Sequence, residues 1–83
     1  MSPLSTLQPG EVAEVVRITA EGLVRRRLLD LGFVPGTVVW LERTAPFGNP
    51  RSYRIRSSSL ALRDTEAEQV TVRRLRTGSG VQG

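Results

Sequence analysis

Carboxylates offer this 83-residue chain its main means of acid–base or metal chemistry, because it contains neither histidine nor cysteine. The commonest general base and the commonest ligands of transition metals are therefore missing. Three of the eight acidic residues lie close together in sequence, at Asp64, Glu66 and Glu68. Oxygen donors alone favour hard cations, so we expect no firm cofactor and at most a weak site for a divalent transition metal there. The competing interpretation is that Asp64 caps a turn and Glu66 supports it.

Catalytic groups are not evident among the remaining side chains. Ser57, Ser58 and Ser59 have no base near them in sequence, and the strand pattern brings no carboxylate pair together in an apolar pocket. Nucleophilic catalysis needs a base beside the nucleophile. We therefore predict that the protein is not an enzyme and has no catalytic residues.

Arginine supplies all twelve basic residues and gives the chain a net charge of +4. Its planar donor fork suits carboxylates and phosphates. Seven arginines lie in the C-terminal half, at Arg51, Arg54, Arg56, Arg63, Arg73, Arg74 and Arg76. A nucleic-acid-binding face would also need exposed aromatic side chains, whereas strand alternation favours the core for Trp40 and Tyr53. A nucleic-acid-binding small β-barrel is therefore the second interpretation, and the less favoured one.

An exposed aromatic residue points instead to protein binding. Phe47 stands between Pro46 and Gly48 in a loop at residues 45–50, where its neighbours offer little cover. A large apolar side chain held by rigid neighbours makes an anchor with a low entropic cost of ordering. The alternative is that Phe47 folds back onto the rim of the domain.

A helix at residues 23–31 adds a second candidate surface. Leu23 and Leu29 lie off its main apolar face, and Arg25 and Arg26 are adjacent. These four residues could form a mixed apolar and basic patch. Equally, the two leucines could simply widen the buried stripe.

The same helix is placed by its spacing and its ending. Val24, Leu28 and Leu31 follow the i, i+4, i+7 pattern of one helical face. Gly32 comes next, where a helix end favours a residue that tolerates positive φ.

A turn then leads into a strand. Residues 34–37 fit a type II turn, with Pro35 setting φ at its second position and Gly36 supplying positive φ at its third. The three residues Gly32, Pro35 and Gly36 are therefore predicted to be structural.

Short strands make up most of the remaining chain. Leu4 and Leu7 should face the core from an N-terminal turn. The first strand, residues 11–18, places Val12, Val16 and Ile18 on one face. Val15 is out of phase, which either a bulge or burial of both faces would explain.

The later strands follow in order. The second strand, residues 37–44, is apolar on both faces and should be buried on both. A third strand covers residues 51–56, a fourth contains Leu60 and Leu62, and a fifth contains Val70 and Val72 after a capped turn at residues 64–67. Five short strands with one inserted helix indicate a small, strongly curled β-barrel.

Three sequence runs carry a family resemblance. RLLDLGFVPG at residues 27–36, APFGNP at residues 45–50 and LALRDTEAEQVTV at residues 60–72 occur in an order and spacing similar to the FeoA family. These are small cytoplasmic proteins of bacterial ferrous iron uptake, and the domain also occurs at the C-terminus of metal-dependent repressors. The resemblance implies a mainly β, five-stranded SH3-like barrel with one short helix after the first strand, spanning residues 1–76. Residues 77–83, rich in Gly and Ser, should form a disordered tail.

The resemblance also implies a function. A cytoplasmic accessory protein would bind the cytosolic face of a FeoB-like membrane GTPase transporter and modulate it without inserting into the membrane. The family is associated with transition metal ions, but the chain itself offers only oxygen ligands. Self-association is left open. The predicted partner-binding residues are Phe47, Pro46, Arg25, Arg26 and Leu23.

Overall fold

The computed structural model describes residues 1–56 and 58–75. In chain order the elements are β1 (Ser2–Pro3), a 3₁₀ helix (Leu4–Thr6), β2 (Val12–Ile18), α1 (Gly22–Leu31), β3 (Val38–Thr44), β4 (Arg51–Ile55), β5 (Ser58–Leu62), α2 (Asp64–Ala67) and β6 (Val70–Arg74). The described part thus has one strand more than predicted, the two-residue β1. The predicted tail lies outside the described residues. No helix within them is long and apolar enough to cross a membrane.

All strands pair antiparallel in one sheet, in the order β1-β6-β2-β3-β4-β5. The N-terminal segment packs against the core of this sheet, because Leu4 and Leu7 are fully buried, as predicted. The Tyr53 hydroxyl lies 3.5 Å from the Leu4 carbonyl oxygen, and the Arg51 guanidinium donates to the Leu7 carbonyl at 3.3 Å. The first residues of the chain are therefore bound to β4, far along the sequence.

The buried face of β2 differs from the prediction. Ala13, Val15 and Ile18 are buried, whereas Val12 and Val16 are only half-buried. The register between β2 and β6 shifts immediately after Val15. Of the two explanations for Val15, the bulge is confirmed. The predicted buried face was right for Ile18 and wrong for Val12 and Val16, because a bulge reverses the alternation on either side of it.

Burial of β3 is also one-sided, contrary to the prediction. Val39 and Leu41 are buried, while Val38 is exposed and Trp40 is half-buried. β3 lies between β2 and β4, and its outer face stays partly accessible at Val38 and Trp40. Trp40 is therefore not a core residue, whereas Tyr53 is.

The end of α1 has the hydrogen bonds of a Schellman motif. Gly32, at φ +112°, donates its N–H to the Leu29 carbonyl at 3.0 Å, and Phe33 donates to the Leu28 carbonyl at 3.1 Å. A side chain at Gly32 would also meet the Ile55 Cδ1 atom at 2.8 Å. Both the backbone angle and the close packing therefore favour glycine here.

Only the second half of α1 covers the core. Leu28 is buried, and Leu29 and Leu31 pack against the core. Residues 22–27 are all exposed, and Val24 has 38% of its surface accessible. The expectation that Val24 belongs to the buried face was therefore wrong.

The segment after α1 is a turn fastened to β2. Thr37 donates its N–H to the Val34 carbonyl at 3.0 Å and Gly36 has φ +94°, as a type II turn requires. The Gly36 N–H donates to the Val15 carbonyl at 2.8 Å, and the Val15 N–H donates to the Thr37 carbonyl at 2.8 Å. These bonds place the start of β3 beside β2.

Candidate partner-binding site

The loop between β3 and β4, residues 45–50 (hereafter the Phe47 loop), holds its aromatic side chain in solvent. Ala45 donates its N–H to the Pro50 carbonyl at 3.1 Å, and the Gly48 N–H donates to the Ala45 carbonyl at 2.7 Å. These bonds close the loop into a tight turn, and Phe47 at its tip is 97% exposed. Exposed aromatic side chains on loops held by hydrogen bonds are typical of anchors at protein interfaces.

The base of this loop is fixed to α2. The Asn49 Oδ1 atom accepts the Asp64 N–H at 3.1 Å. Next to it, Arg51 Nε and Asp64 Oδ1 are shielded from solvent and lie 3.1 Å apart, close enough for an ion pair although not aligned for a hydrogen bond. Each atom is the other's partner, so the loop emerges from a rigid base.

A groove of about 450 Å³ on α1 brings together the predicted patch of Leu23, Arg25, Arg26 and Leu29, which we call the helix patch. Leu23 is 85% exposed and both arginines are exposed, whereas Leu29 packs partly into the core. The Arg25 guanidinium donates to the Ile18 carbonyl at 3.3 Å, which holds it near the end of β2. The patch is therefore a mixed apolar and basic surface.

α2 connects the two surfaces. Glu66 forms an ion pair with Arg27 of α1, and the Asp64 N–H binds Asn49 of the Phe47 loop. The short helix thus contacts both elements that carry predicted partner-binding residues.

Two of the three carboxylates considered for metal binding, Asp64 and Glu66, form contacts within the fold. Glu66 accepts the N–H of Arg63, the N-cap of α2, at 3.1 Å. It supports the turn as one interpretation expected, but Asp64 does not cap it, because Asp64 is already the first helical residue and pairs with Arg51. Glu68 is exposed. No group of three acidic side chains is placed to hold a metal ion within residues 1–56 and 58–75.

Most arginines of the C-terminal half are neutralised by neighbouring carboxylates. The pairs are Arg51–Asp64, Arg54–Glu42 at 3.0 Å, Arg73–Glu14 and Arg74–Glu11 at 3.2 Å. Arg76 lies outside the described residues. Paired guanidinium groups on scattered strands do not form the continuous phosphate-binding track that nucleic-acid recognition needs.

Aromatic side chains do not supply a stacking platform either. Phe33 and Tyr53 are fully buried, and Trp40 is half-buried. Phe47 stands alone as an exposed aromatic residue in the described part of the chain. The arrangement favours protein binding over nucleic-acid binding.

The electrostatics of the sheet are set by local pairs. The Gln8 N–H, which donates to Glu11 at 2.7 Å, lowers the pKa of that carboxyl, and Arg74 adds to the effect. Hydrogen bonds from Arg54 and Ser59 lower the pKa of Glu42. These carboxylates therefore stay ionised beside their arginines at neutral pH.

A further groove, of about 440 Å³, was not predicted from the sequence. It lies between the type II turn and the outer face of β3, and its lining includes Val34, Val38, Trp40 and Arg56; we call it the Trp40 groove. The signal that could have revealed it was the apolar residue at every position from Val38 to Leu41, which was interpreted as two-sided burial.

Solved structures of similar proteins define the class of this fold. The NMR structure of a FeoA-like protein from Clostridium acetobutylicum has a TM-score of 0.84 and 36% identity, over 90% of this chain and 87% of that one. The zinc-complexed crystal structure of Stenotrophomonas maltophilia FeoA has a TM-score of 0.78 and 32% identity, over 88% and 91%. That protein is described as a procaryotic SH3 domain protein with a suggested role as a ferrous iron transport activating factor. The present chain is therefore an SH3-like domain, which confirms the predicted fold class.

Sequence comparison gives the family. The model of the FeoA domain matches residues 2–74. Over 69 residues the chain is 36% identical to the Fe(2+) transport protein A/Fe(2+) transporter FeoB fusion protein of Porphyromonas gingivalis, a match that covers 83% of this chain and 8% of the fusion protein. The chain belongs to the FeoA family, as the three sequence runs indicated.

The structure of Stenotrophomonas maltophilia FeoA is a complex with zinc, whereas the present chain offers only oxygen donors among its side chains. Zinc and ferrous iron normally recruit imidazole or thiolate ligands. The chain has neither histidine nor cysteine, and Asp64 and Glu66 are already bound to arginines. The expectation of at most a weak site for a divalent transition metal therefore stays a prediction.

Proposed function

We propose that this protein is a non-enzymatic accessory factor of bacterial ferrous iron uptake, which binds a FeoB-like membrane transporter at its cytosolic face. Two observations support the proposal. The Porphyromonas gingivalis relative is, by its name, a fusion of the two proteins in one chain. The present chain carries an exposed aromatic anchor on a braced loop.

The observation that carries the proposal is the position of Phe47. Burying this side chain on binding would remove a large apolar surface from water. Because the loop is already closed by backbone hydrogen bonds and fixed at its base, little conformational freedom would be lost. Phe47 and its neighbour Pro46 would therefore form the centre of the contact.

The helix patch would form the second part of the contact. Leu23 would add apolar area, and Arg25 and Arg26 would steer the domain towards an acidic surface. A domain that binds one conformation or assembly state of the transporter more tightly than another would shift the equilibrium towards it. This role needs contacts but no chemistry and no resident metal.

A photo-crosslinking experiment tests the proposal. The photoreactive residue p-benzoylphenylalanine would replace Phe47 or Leu23 in the full chain, expressed with its cognate transporter in the native host. Illumination of membranes should produce an adduct of domain and transporter from both positions. The matched control carries the same residue at exposed Thr65 of α2, and should react much less. Adducts from position 65 but from neither 47 nor 23 would place the contact elsewhere, and no adduct at any position would overturn the proposed partner.

A further inference from the structure

Arg56 is the charged residue of an otherwise apolar groove. Val34 and Val38, which line the Trp40 groove, have 37% and 41% of their surfaces exposed, and half-buried Trp40 lines the same groove with Arg56. On the other side of Val34 and Arg56 lies a smaller hollow of about 300 Å³. Arg56 thus projects where two hollows meet, within reach of a ligand in either.

The backbone of Arg56 adopts a conformation that suits other residues better. It has φ +49°, and in the described part of the chain it is the one non-glycine residue with positive φ. It opens the two-residue connection between Ile55 and Ser58, which are paired across β4 and β5. Such connections strongly prefer Asn, Asp or Gly, because at positive φ a Cβ atom crowds the backbone, while Gly has none and Asn and Asp compensate with local hydrogen bonds. Backbone strain of this kind concentrates at functional positions.

The guanidinium of Arg56 also lacks a carboxylate partner within residues 1–56 and 58–75, unlike the five arginines that form ion pairs there. The nearest paired example on the same hairpin is Arg54, which is bound to Glu42. A long cation in an unfavourable backbone position, left free beside an apolar groove, is suited to bind an incoming anion.

We propose that the Trp40 groove binds an extended segment of the transporter in which a carboxylate is next to an apolar side chain, a site that rests on the function proposed above. The carboxylate would accept hydrogen bonds from the Arg56 guanidinium, and the apolar side chain would pack against Trp40 and Val38. This contact is separate from the Phe47 loop, because the two lie at opposite ends of the β3–β4 hairpin.

Charge complementarity selects this occupant. A second copy of the chain would bring another net charge of +4 to the same surface. A nucleic acid would need several phosphate contacts, and the groove lining offers one cation. A protein segment with one carboxylate and one apolar side chain complements both the cation and the apolar lining of the groove.

The test compares three variants of the full chain for binding to its cognate full-length transporter in lipid nanodiscs. Arg56→Asn relieves the backbone and removes the charge, Arg56→Gln removes the charge alone, and Arg17→Gln removes an equally exposed charge elsewhere. Both Arg56 variants should weaken binding about tenfold or more, as expected for the loss of a charge-assisted hydrogen bond. Arg56→Asn should also melt at a higher temperature than the wild type. Arg17→Gln should bind as the wild type does.

A second readout reports on the groove itself. Trp40 is the chain's single tryptophan, so a fluorotryptophan-labelled chain gives one fluorine resonance. That resonance should shift on addition of the transporter nanodiscs and shift less in Arg56→Gln. A folded Arg56→Asn that binds like the wild type, or an unmoved fluorine resonance in the bound wild type, would overturn the groove assignment and leave the proposed function standing.

Two other outcomes have distinct meanings. A wild-type chain that fails to bind the transporter at all would overturn the proposed function, and the groove assignment with it. A wild-type dimer in sedimentation equilibrium that dissociates in Arg56→Gln would show that a second copy covers the groove, which would overturn the assigned occupant.

Discussion

Gly32 and Gly36 show how single residues determine the path from α1 to β3. Both have positive φ, but their surroundings differ. A Cβ atom at Gly32 would meet Ile55 Cδ1 at 2.8 Å, whereas a Cβ atom at Gly36 would meet nothing within 4 Å. Gly36 therefore isolates the contribution of backbone conformation from that of packing.

Gly36→Val should destabilise the domain by about 1–3 kcal/mol, because a β-branched residue is strained at positive φ. For a chain of this size, each lost kcal/mol lowers the melting temperature by roughly 4–8 °C. Thermal unfolding followed by circular dichroism measures the loss. Gly36→Asn is the matched control and should lose less, since Asn tolerates this region. A valine variant that melts within about a degree of the wild type would contradict the strain at Gly36.

The roles of single residues could be predicted from the sequence where a backbone conformation strongly prefers one residue type. The sequence placed Gly32 and Gly36 because a helix end and a type II turn each need positive φ. The positive φ of Arg56 was not predicted, because arginine is not a residue type that indicates it. The conformation follows from the pairing of Ile55 with Ser58 across the hairpin. Local sequence patterns therefore predict residues in their usual backbone conformations and miss a residue in an unusual one.

Among the elements, α1 is the one whose proposed contribution to binding includes charge steering. Its exposed first half carries Arg25 and Arg26, and its second half packs on the core. Arg25→Glu combined with Arg26→Glu should slow association with the transporter and flatten its dependence on salt, because steering acts on the association rate. Association kinetics at several ionic strengths measure this.

The matched control for this charge reversal is Arg17→Glu combined with Arg43→Glu, which changes the net charge equally at exposed positions off α1. If the control pair slows association as much as the α1 pair, net charge rather than the helix patch governs the encounter.

The positions of the helices and strands along the chain were predicted better than which of their faces is buried. Alternation in β2 was broken by a bulge, so the buried residues changed phase. In β3, apolar residues on both faces were interpreted as two-sided burial, whereas one side remains open at Val38 and Trp40. β1 was missed because two residues carry no periodicity; pairing with β6 defines them. Such features depend on distant partners, which a local pattern does not contain.

At the scale of the whole molecule, Tyr53 joins the N-terminal segment to the sheet. Burial raises its pKa to about 12, well above the usual value near 10. Between these values the folded state retains a proton that the unfolded state loses, so stability should fall as pH rises from about 10 to about 12. Below pH 10 both states are protonated and the effect is absent.

Ultraviolet absorbance measures this directly, because Tyr53 is the single tyrosine of the chain. Tyrosinate absorbance should appear together with the loss of structure in circular dichroism, and Tyr53→Phe should remove this part of the alkaline instability. Ionisation near pH 10 with the fold intact would contradict the buried environment.

The overall architecture was predictable because three runs spread over the chain share one order and spacing with the FeoA family. The candidate site was predictable in part. The loop composition indicated an exposed Phe47, whereas the ion pairs that occupy Asp64, Glu66 and four C-terminal arginines depend on how the sheet curls. The sequence alone does not show these ion pairs, so the same side chains could be considered as candidates for binding metal or nucleic acid.

The affinity of the Phe47→Ala chain for the full-length transporter tests the central claim most directly. Phe47 is 97% exposed, so truncation should leave the melting temperature nearly unchanged. Binding should weaken by about 1–3 kcal/mol, the range of an aromatic anchor. Leu75→Ala, which shortens another exposed apolar side chain, is the matched control and should bind as the wild type does. An unchanged affinity for Phe47→Ala, with the control also unchanged, would contradict the account and move the docking surface away from the Phe47 loop.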